Sequence, residues 1–260
     1  MKTRDMIYGF ALALTCGLAG TLKAQNLYVA NGGGTTIGEY GPDGSVINAS
    51  VISGSYVLNA PGGIAISRNN VFVANAGSGT VGEFTTSGAV VSESLIAGLS
   101  GPTSIAISGN DLFVANYGTD NIGEYTTSGA TINASLISGL NFPIGIAISG
   151  NNLFVVNEGL SSGNGTIGEY TTSGATVNTS LISGLTLPWG VAISGNDLFV
   201  ANYGSDIVGE YTTSGATVNA SLVSGLGAPT GIAISPVPEP AGGALGGLGA
   251  VALWLCCRRK

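Results

Sequence analysis

The stretch DLFVANYGTDNIGEYTTSGATINASLISGLNFPIGIAIS, from Asp111 to Ser149, decides the fold because the chain repeats it about five times. Each copy carries an aromatic residue at the same place, and the steps between these aromatics are 44, 41, 41 and 45 residues. The copies begin at Asn26, Asn70, Asp111, Asn152 and Asp197. A period of this length is typical of four short strands with their turns.

The residue types of the repeat favour strands. Val, Ile, Thr, Tyr and Phe alternate with Gly, Ser and Asn, and the long charged residues of helix surfaces are scarce. We predict strand a over Gly145–Ser149, strand b over Asp111–Asn116, strand c over Ile122–Tyr125 and strand d within Ala130–Ser138. Gly and Asn in the intervening segments Ser108–Asp111 and Thr126–Gly129 suit tight turns.

The two ends of the repeat array complement each other. The first copy starts at strand b without a preceding GIAIS, and the last copy ends with a spare GIAIS at Gly231–Ser235. Pairing the N- and C-terminal strands would remove two open sheet edges. The sequence therefore predicts an all-β, closed five-bladed β-propeller with GIAIS as the innermost strand, its Gly and Ala crowding the axis. The alternative, an open β-solenoid, requires an unusually long rung.

Residues 1–24 have the features of a secretory signal peptide, predicted as a helix. Lys2 and Arg4 form a basic start, and an apolar run follows over Met6–Leu18. Cleavage after Ala19 would have the small residue Gly17 at the minus-three position, whereas cleavage after Ala24 would have Leu22 there, which fits less well. The repeats then occupy 25–235 as one domain.

The composition of the region after the signal excludes several classes of function. The chain has no His, and Gln25–Pro240 has no Cys, so neither a disulfide framework nor an imidazole base is available there. This region holds 13 acidic residues and one basic residue, Arg68, a net charge of −12. Such a surface repels phosphate backbones, so nucleic acid is not expected as a partner.

The C-terminal segment, 236–260, has three parts in a fixed order. A Pro-rich motif precedes the 17-residue apolar run Ala241–Cys257, which is just long enough for a transmembrane helix, and a basic cluster ends the chain. The motif residues are Val237, Pro238, Glu239 and Pro240, and the basic cluster includes Arg258 and Arg259.

This tail resembles the PEP-CTERM sorting signal of Gram-negative bacteria. The resemblance implies export, anchoring in the inner membrane, processing by an exosortase near Val237–Pro240, and delivery to the cell surface or the exopolysaccharide matrix. A plain C-terminal anchor with a fortuitous Pro-Glu-Pro linker is the alternative. The repeats in turn resemble NHL and streptogramin-lyase-like propellers, through Pro143–Ala147 and Phe113–Asn116 and their equivalents. That second resemblance concerns the fold and says little about chemistry.

One face of the propeller is predicted to carry the binding site. Antiparallel order places the b-to-c and d-to-a loops together, and these loops vary between copies while the opposite turns are nearly constant. The variable face offers aromatic platforms and carboxylates suited to sugar rings. The candidate ligand-binding residues are Tyr117, Asp120, Phe142, Glu158, Trp189, Tyr203 and Asp206. The alternative is that Phe142 and Trp189 only cap the blade ends.

Two polar positions recur in every copy. An Asn ends strand b, where it is expected to close an Asx-type turn rather than to form a functional ring. A Glu recurs in strand c and is expected to be solvated, because strand c lies about 10 Å from the innermost strand and five such groups do not converge on one ion. These Glu residues are Glu39, Glu83, Glu124, Glu169 and Glu210. No metal site is predicted, and calcium held by loop carbonyls is the alternative.

Two functions compete on these observations. The first is a non-enzymatic surface or matrix protein that binds exopolysaccharide or another envelope component. The second is a propeller enzyme, either lyase-like or lactonase-like, acting on a small extracellular substrate. Streptogramin-lyase-like propellers are associated with a catalytic His, which this chain lacks. Because no nucleophile has a recognisable base beside it, no catalytic residue is assigned and the non-enzymatic function is preferred.

Overall fold

A computed structural model describes residues 26–31, 35–41, 45–54, 57–161, 163–234 and 253–254. Within these ranges the chain is all β apart from two short 3-10 turns, at Tyr117–Thr119 and Tyr203–Ser205. Five antiparallel sheets, one per repeat, form a five-bladed β-propeller, and the predicted blade count is confirmed. A sixth sheet has two short strands.

Each blade runs outward from the axis in chain order. Blade 1 contains β1 (Leu27–Asn31), β2 (Thr36–Tyr40) and β3 (Val46–Ser53). Blade 2 contains β4 (Pro61–Ser67), β5 (Asn70–Asn75), β6 (Thr80–Thr85) and β7 (Val90–Ile96). Blade 3 contains β8 (Pro102–Ser108), β9 (Asp111–Asn116), β10 (Asn121–Thr126) and β11 (Thr131–Ser138). Blade 4 contains β12 (Pro143–Ser149), β13 (Asn152–Asn157), β14 (Gly165–Thr171) and β15 (Thr176–Leu185). Blade 5 contains β16 (Pro188–Ser194), β17 (Asp197–Asn202), β18 (Ile207–Thr212) and β19 (Thr217–Val223), and the short sheet pairs β20 (Ala233–Ile234) with β21 (Leu253–Trp254).

The core lies between blades rather than within one. The second strand of blades 2 to 5 is buried on both faces, because each blade packs between two neighbours, whereas the outermost strands are largely exposed. Phe113 of blade 3, for example, packs with Leu153 and Tyr170 of blade 4. Full burial of one such aromatic side chain stabilises the fold by about 1.5–3 kcal/mol.

The face opposite the variable loops, called the constant face, carries turns of nearly the same sequence in each copy. These turns contact the neighbouring blades. In the turn between β10 and β11, Thr126 Oγ1 accepts the backbone N–H of Ala130 at 3.0 Å. Gly129 in this turn has a φ of 88°, and a Cβ there would lie 2.6 Å from the carbonyl oxygen of Leu95 in blade 2. The Thr-Thr-Ser-Gly turn is therefore a packing element, which explains its near identity from copy to copy.

The spare C-terminal strand occupies the expected place without the expected pairing. A Cβ on Gly190 of β16 would lie 2.6 Å from the carbonyl oxygen of Thr230, so the spare segment runs beside β16 at the axis. However, β20 pairs with β21 and not with β1, and blade 1 has three strands among the described residues. The predicted ladder between the two chain ends is thus corrected. The apolar tail supplies backbone partners for the spare strand, and an open edge accepts whichever extended segment reaches it.

The predicted signal peptide at 1–24 and most of the predicted sorting signal lie outside the described residues. This applies to the Val237–Pro240 motif and to the terminal Arg residues. In the described part of the chain, no helix has the length and hydropathy needed to cross a bilayer.

Candidate functional site

An open cavity of about 500 Å³ lies on the propeller axis. Each inner segment contributes the second to fourth residues of its Pro-x-Gly-Ile pattern, such as Ile144, Gly145 and Ile146 in blade 4. The spare segment contributes Thr230, Gly231 and Ile232 in the same way. Because these residues belong to the first half of each inner strand, the cavity opens on the variable face.

Close approach of the inner strands gives the cavity its narrow backbone wall. A Cβ on Gly63 would lie 2.6 Å from Ser104 Cα, and one on Gly145 would lie 2.6 Å from the carbonyl oxygen of Trp189. The prediction that Gly lets the inner strands crowd the axis is confirmed at these positions. The Ser104 hydroxyl, where one copy departs from Gly, accepts the backbone N–H of Ile146 at 3.3 Å.

A β-bulge directs one side chain per blade toward the cavity. In blade 5, Pro188 pairs with Asn202 and Gly190 pairs with Ala201, so Trp189 is the extra residue between them. Bulges re-aim side chains in this way. This second residue of the Pro-x-Gly-Ile pattern differs in every complete blade and is Gly62, Thr103, Ile144 or Trp189. The cavity is therefore asymmetric although its scaffold repeats.

The residue after strand b makes a second variable ring. Ala76, Tyr117 and Glu158 hold this position in blades 2, 3 and 4, and all three line the cavity. Among the described lining residues, Glu158 is the one carboxylate and none is basic. The structure therefore brings together three of the predicted site residues, Tyr117, Glu158 and Trp189, at one opening.

Glu158 is a half-buried carboxylate in apolar surroundings. Burial raises its pKa, and the nearby Tyr117 hydroxyl and Trp189 N–H act in the opposite sense by favouring the charged form. Burial also raises the pKa of Tyr117, helped by the negative charges of Glu158 and Asp120. The Trp189 Nε1 atom is buried and, among the described residues, has no partner in hydrogen-bonding geometry. This N–H therefore lies beside the Glu158 carboxylate and stabilises its charge without reaching standard hydrogen-bond geometry.

Two aromatic pairs flank the carboxylate. The rings of Tyr117 and Phe142 have centroids 5.0 Å apart with an interplanar angle of 45°. Those of Trp189 and Tyr203 are also 5.0 Å apart, at 34°. Each pair joins a b-to-c loop to a d-to-a loop, as the antiparallel order of the strands predicts. Of the four, Tyr117 and Trp189 line the cavity, whereas Phe142 and Tyr203 support them from outside.

Asp120 and Asp206 have a structural role in these loops. Asp120 adopts a left-handed conformation with a φ of 52°, and its Oδ1 accepts the backbone N–H of Phe142 at 2.9 Å. Asp206 does the same with a φ of 58°, accepting the N–H of Ala228 at 2.7 Å. Neither side chain lines the cavity. Both carboxylates instead hold the d-to-a loop in place.

The repeated Asn residues act across loops rather than within a turn. Asn157 Oδ1 accepts the N–H of Asn141 in the d-to-a loop at 3.4 Å, and Asn75 Oδ1 accepts that of Asn59 at 3.3 Å. This contact differs from the expected Asx-type turn. In blades 2 and 4 this Asn thus ties the two variable loops together, whereas Asn116 Oδ1 and Asn202 Oδ1 accept no hydrogen bond from the described residues.

The repeated Glu residues of strand c are less solvated than expected. Glu83 and Glu169 are buried, at 7% and 9% exposure, which corrects the prediction for these two. Asn70 Nδ2 donates to Glu83 Oε1 at 2.6 Å, and Asn152 Nδ2 donates to Glu169 Oε1 at 2.8 Å. Across the described ranges, no group of three or more acidic, Cys or His side chains is placed to hold a metal ion.

Sequence reasoning found the aromatic and acidic residues of the site but missed its inner lining. Thr103 and Ile144 were not candidates, yet they occupy the same bulged position as Trp189. The signal was present in the sequence, because the residue after the repeated Pro varies far more between copies than its neighbours do. Variation confined to one position of a constant strand marks a wall of the cavity.

Comparison with known proteins supports the fold alone. No protein family profile and no curated protein sequence matches the chain. Among solved structures, the nidogen/laminin complex is similar with a TM-score of 0.66 and 18% identity, covering 76% of this chain and 78% of that one. Streptogramin B lyase is similar with a TM-score of 0.62 and 21% identity, covering 81% of this chain and 70% of that one.

Two further enzymes share the architecture. A gluconolactonase from Xanthomonas campestris has a TM-score of 0.63 at 13% identity, covering 81% of this chain and 75% of that one. A catalytically inactive His-to-Ala variant of virginiamycin B lyase from Staphylococcus aureus, with quinupristin, has a TM-score of 0.63 at 20% identity, covering 81% and 71%. At such identities the likeness extends to the propeller and not to its chemistry.

Proposed function

We propose that this protein is an exported β-propeller of the cell surface or extracellular matrix that binds carbohydrate at its axial cavity without transforming it. The observation that carries the proposal is the cavity mouth, where Tyr117 and Trp189 flank the single carboxylate Glu158. Sugar rings have apolar faces that stack on aromatic rings and hydroxyl groups that donate to a carboxylate. The ligand class that fits is a polysaccharide segment of the envelope.

The proposed location depends on the two ends of the sequence. Residues 1–24 would direct export, and 236–260 would anchor the protein in the inner membrane until an exosortase processes it near Val237–Pro240. Replacing Glu239 with Ala should retain the protein in the membrane fraction, whereas the parent reaches the cell surface or the medium. Equal release of both proteins would contradict the sorting proposal.

The absence of catalysis is proposed from the groups that the cavity offers. The chain has no His, whereas a similar lyase is catalytically inactive as a His-to-Ala variant. The described lining supplies one carboxylate and no Lys or Cys nucleophile. A lactonase-like activity is the second candidate, favoured by the raised pKa of Glu158 in a cavity, which is typical of a general acid.

A binding screen against envelope polysaccharides distinguishes these functions. The full-length protein in mild detergent should bind a subset of glycans saturably, with and without calcium, and Trp189→Ala should abolish binding. Val177→Ala, an exposed change on the outer strand of blade 4, is the matched control and should bind like the parent. Mass spectrometry of the recovered ligand should show no new product. Turnover of a sugar lactone that depends on Glu158 would favour the enzyme instead.

A further inference from the structure

The carboxylate at the cavity mouth has no cationic partner among the described residues. Arg68 is the one basic residue in the described ranges, and it is exposed in the turn between β4 and β5, on the face opposite the cavity. Glu158 lies in a mostly apolar cavity whose described lining contains no basic side chain. A half-buried charge without a counter-ion is unfavourable, so the site is incomplete without a ligand that brings a positive charge.

The surroundings of Glu158 suit such a charge in two ways. Tyr117 and Trp189 both lie beside the carboxylate, and aromatic rings attract cations. The region Gln25–Pro240 carries a net charge of −12, which raises the local concentration of cations around the molecule. Short-range and long-range electrostatics therefore favour the same sign of ligand.

The size and polarity of the cavity restrict the form of the cation. A cavity of about 500 Å³ with Gly, Ile and Val in its wall admits a ring-sized group rather than a bare ion. In the described residues no group of three or more Asp, Glu, Cys or His side chains is placed to hold a metal ion, so an organic cation fits this cavity better than a metal ion. An ammonium group on a ring-shaped organic ligand meets both conditions.

We propose that the cavity selects a protonated amine, carried on an unacetylated amino sugar. Glu158 accepts the ammonium hydrogen bonds, and Tyr117 and Trp189 flank the ammonium. This inference rests on the proposed carbohydrate-binding function and narrows it to polysaccharides that contain free amino groups. Acetylation would remove the positive charge and leave the half-buried Glu158 carboxylate without a counter-ion.

The test compares two oligosaccharides of equal length, one of glucosamine and one of N-acetylglucosamine, by isothermal titration calorimetry. The pH is set between the pKa of the carboxyl group and the pKa of the amine, so that both are charged. The full-length protein should bind the glucosamine oligomer at least about tenfold more tightly, with a preference that shrinks at high salt. Glu158→Gln should abolish the preference, because it should weaken binding of the glucosamine oligomer at least about tenfold more than binding of the acetylated oligomer. Glu93→Gln, an exposed carboxylate on β7, makes the same change in net charge and should keep the preference.

The other possible results of this test would each overturn one named part of the proposal. Equal affinity for both oligomers would leave the carbohydrate proposal standing and overturn selection of the amine. Binding of cyclohexylamine can be followed by a fluorescence change that the Trp189→Phe variant should lose. If cyclohexylamine binds and neither oligomer does, the carbohydrate proposal is overturned and the cation site is kept. A preference for glucosamine that persists in Glu158→Gln would show that another group binds the amine. An unchanged urea midpoint in Glu158→Gln, or a higher one, excludes loss of folding as the cause.

Discussion

At Glu158, the negative charge that the proposed binding requires lowers the stability of the folded protein. Burial raises its pKa, so the folded chain holds this proton more tightly than the unfolded chain does. The free energy of unfolding contributed by this group is therefore greatest below the ordinary glutamate pKa and falls as the pH rises through the raised folded value. Glu83 and Glu124, whose pKa values burial also raises, give slopes of the same sign.

We expect Glu158→Gln to be more stable than the parent at neutral pH. The amide removes a charge that the cavity does not neutralise, and it also removes one contribution to the pH dependence. Urea unfolding of both proteins across the range from about pH 4 to 8 checks this. The difference in unfolding free energy should grow with pH, and a variant that is less stable at neutral pH would contradict it. Glu93→Gln serves as the exposed control.

Backbone strain recurs at the residue before the Pro of each inner strand. Ala60, Phe142, Leu187 and Ala228 have φ values of 48°, 56°, 47° and 51°, and Gly101 holds the same position in blade 3 at 57°. The left-handed conformation costs a non-glycine residue about 1–2 kcal/mol. Blades 2, 4 and 5 and the spare C-terminal segment therefore carry a backbone strain that blade 3 avoids.

Gly101→Ala should lower the free energy of unfolding by about 1 kcal/mol. A Cβ there would meet its nearest atom at 3.7 Å, which is ordinary contact, so the loss would report the backbone alone. Ala60→Gly makes the reverse change at the equivalent position of blade 2 and should not destabilise. Denaturant midpoints measure both, and equal losses in the two variants would refute the explanation by strain.

Between the second and third strands, two blades differ from the rest in one side chain. In blades 1, 2 and 4 an Asn at the start of strand b donates to the Glu of strand c, whereas Asp111 and Asp197 hold that place in blades 3 and 5. The pKa of Glu124 is raised by burial and then by the charge of Asp111. These two carboxylates line a second cavity, on the constant face, together with Ser108 and Thr172. In blade 3, repulsion between Asp111 and Glu124 therefore replaces the Asn-to-Glu hydrogen bond.

Asp111→Asn should therefore raise the stability of the protein at neutral pH by about 1 kcal/mol, because it introduces the amide-to-carboxylate contact found in blades 1, 2 and 4. Asn152→Asp in blade 4 is the mirror experiment and should lower stability by a similar amount. Both effects should shrink in acid, where the carboxyl groups are protonated. Thermal unfolding of the two variants at two pH values tests the pattern, which fails if Asp111→Asn is neutral or destabilising.

The strands were predictable from the sequence where the repeat pattern alone determines their bounds. Features that depend on contacts between neighbouring blades were not predictable. Strand b over Asp111–Asn116 is confirmed residue for residue, and strand c extends the predicted Ile122–Tyr125 by one residue at each end. The bulge that turns Trp189 toward the axis depends on spacing between whole blades, which local patterns do not encode. The burial of Glu83 and Glu169 also escaped prediction, because it depends on the packing of the folded chain and not on the local pattern.

Closure is the least predictable property of the whole molecule. The spare segment reaches the axis beside β16, but its two paired residues contact the tail strand β21 and leave the inner edge of β1 without a ladder among the described residues. Two extended segments of one chain compete for the same edge, and the sequence pattern of either fits it. Local sequence does not decide such a competition.

Amide hydrogen exchange should distinguish β1 from its counterparts. In the full-length protein, amides of β1 should exchange faster than those of β5, β9 and β13, because β1 is paired on one side and the others on both. Mass spectrometry of non-tryptic fragments resolves these strands. Equal protection in β1 and β9 would mean that the spare segment pairs with β1 in solution.

Arg68 gives the molecule an unusual relation to proteases. It is the one Lys or Arg between Gln25 and Pro240, so enzymes that cut after basic residues find a single peptide bond in about 216 residues. That bond lies in the tight turn joining β4 and β5, where Arg68 has a φ of 57° and paired strands on both sides limit extension into a protease cleft. A propeller built this way would persist among secreted trypsin-like enzymes that degrade more basic matrix proteins.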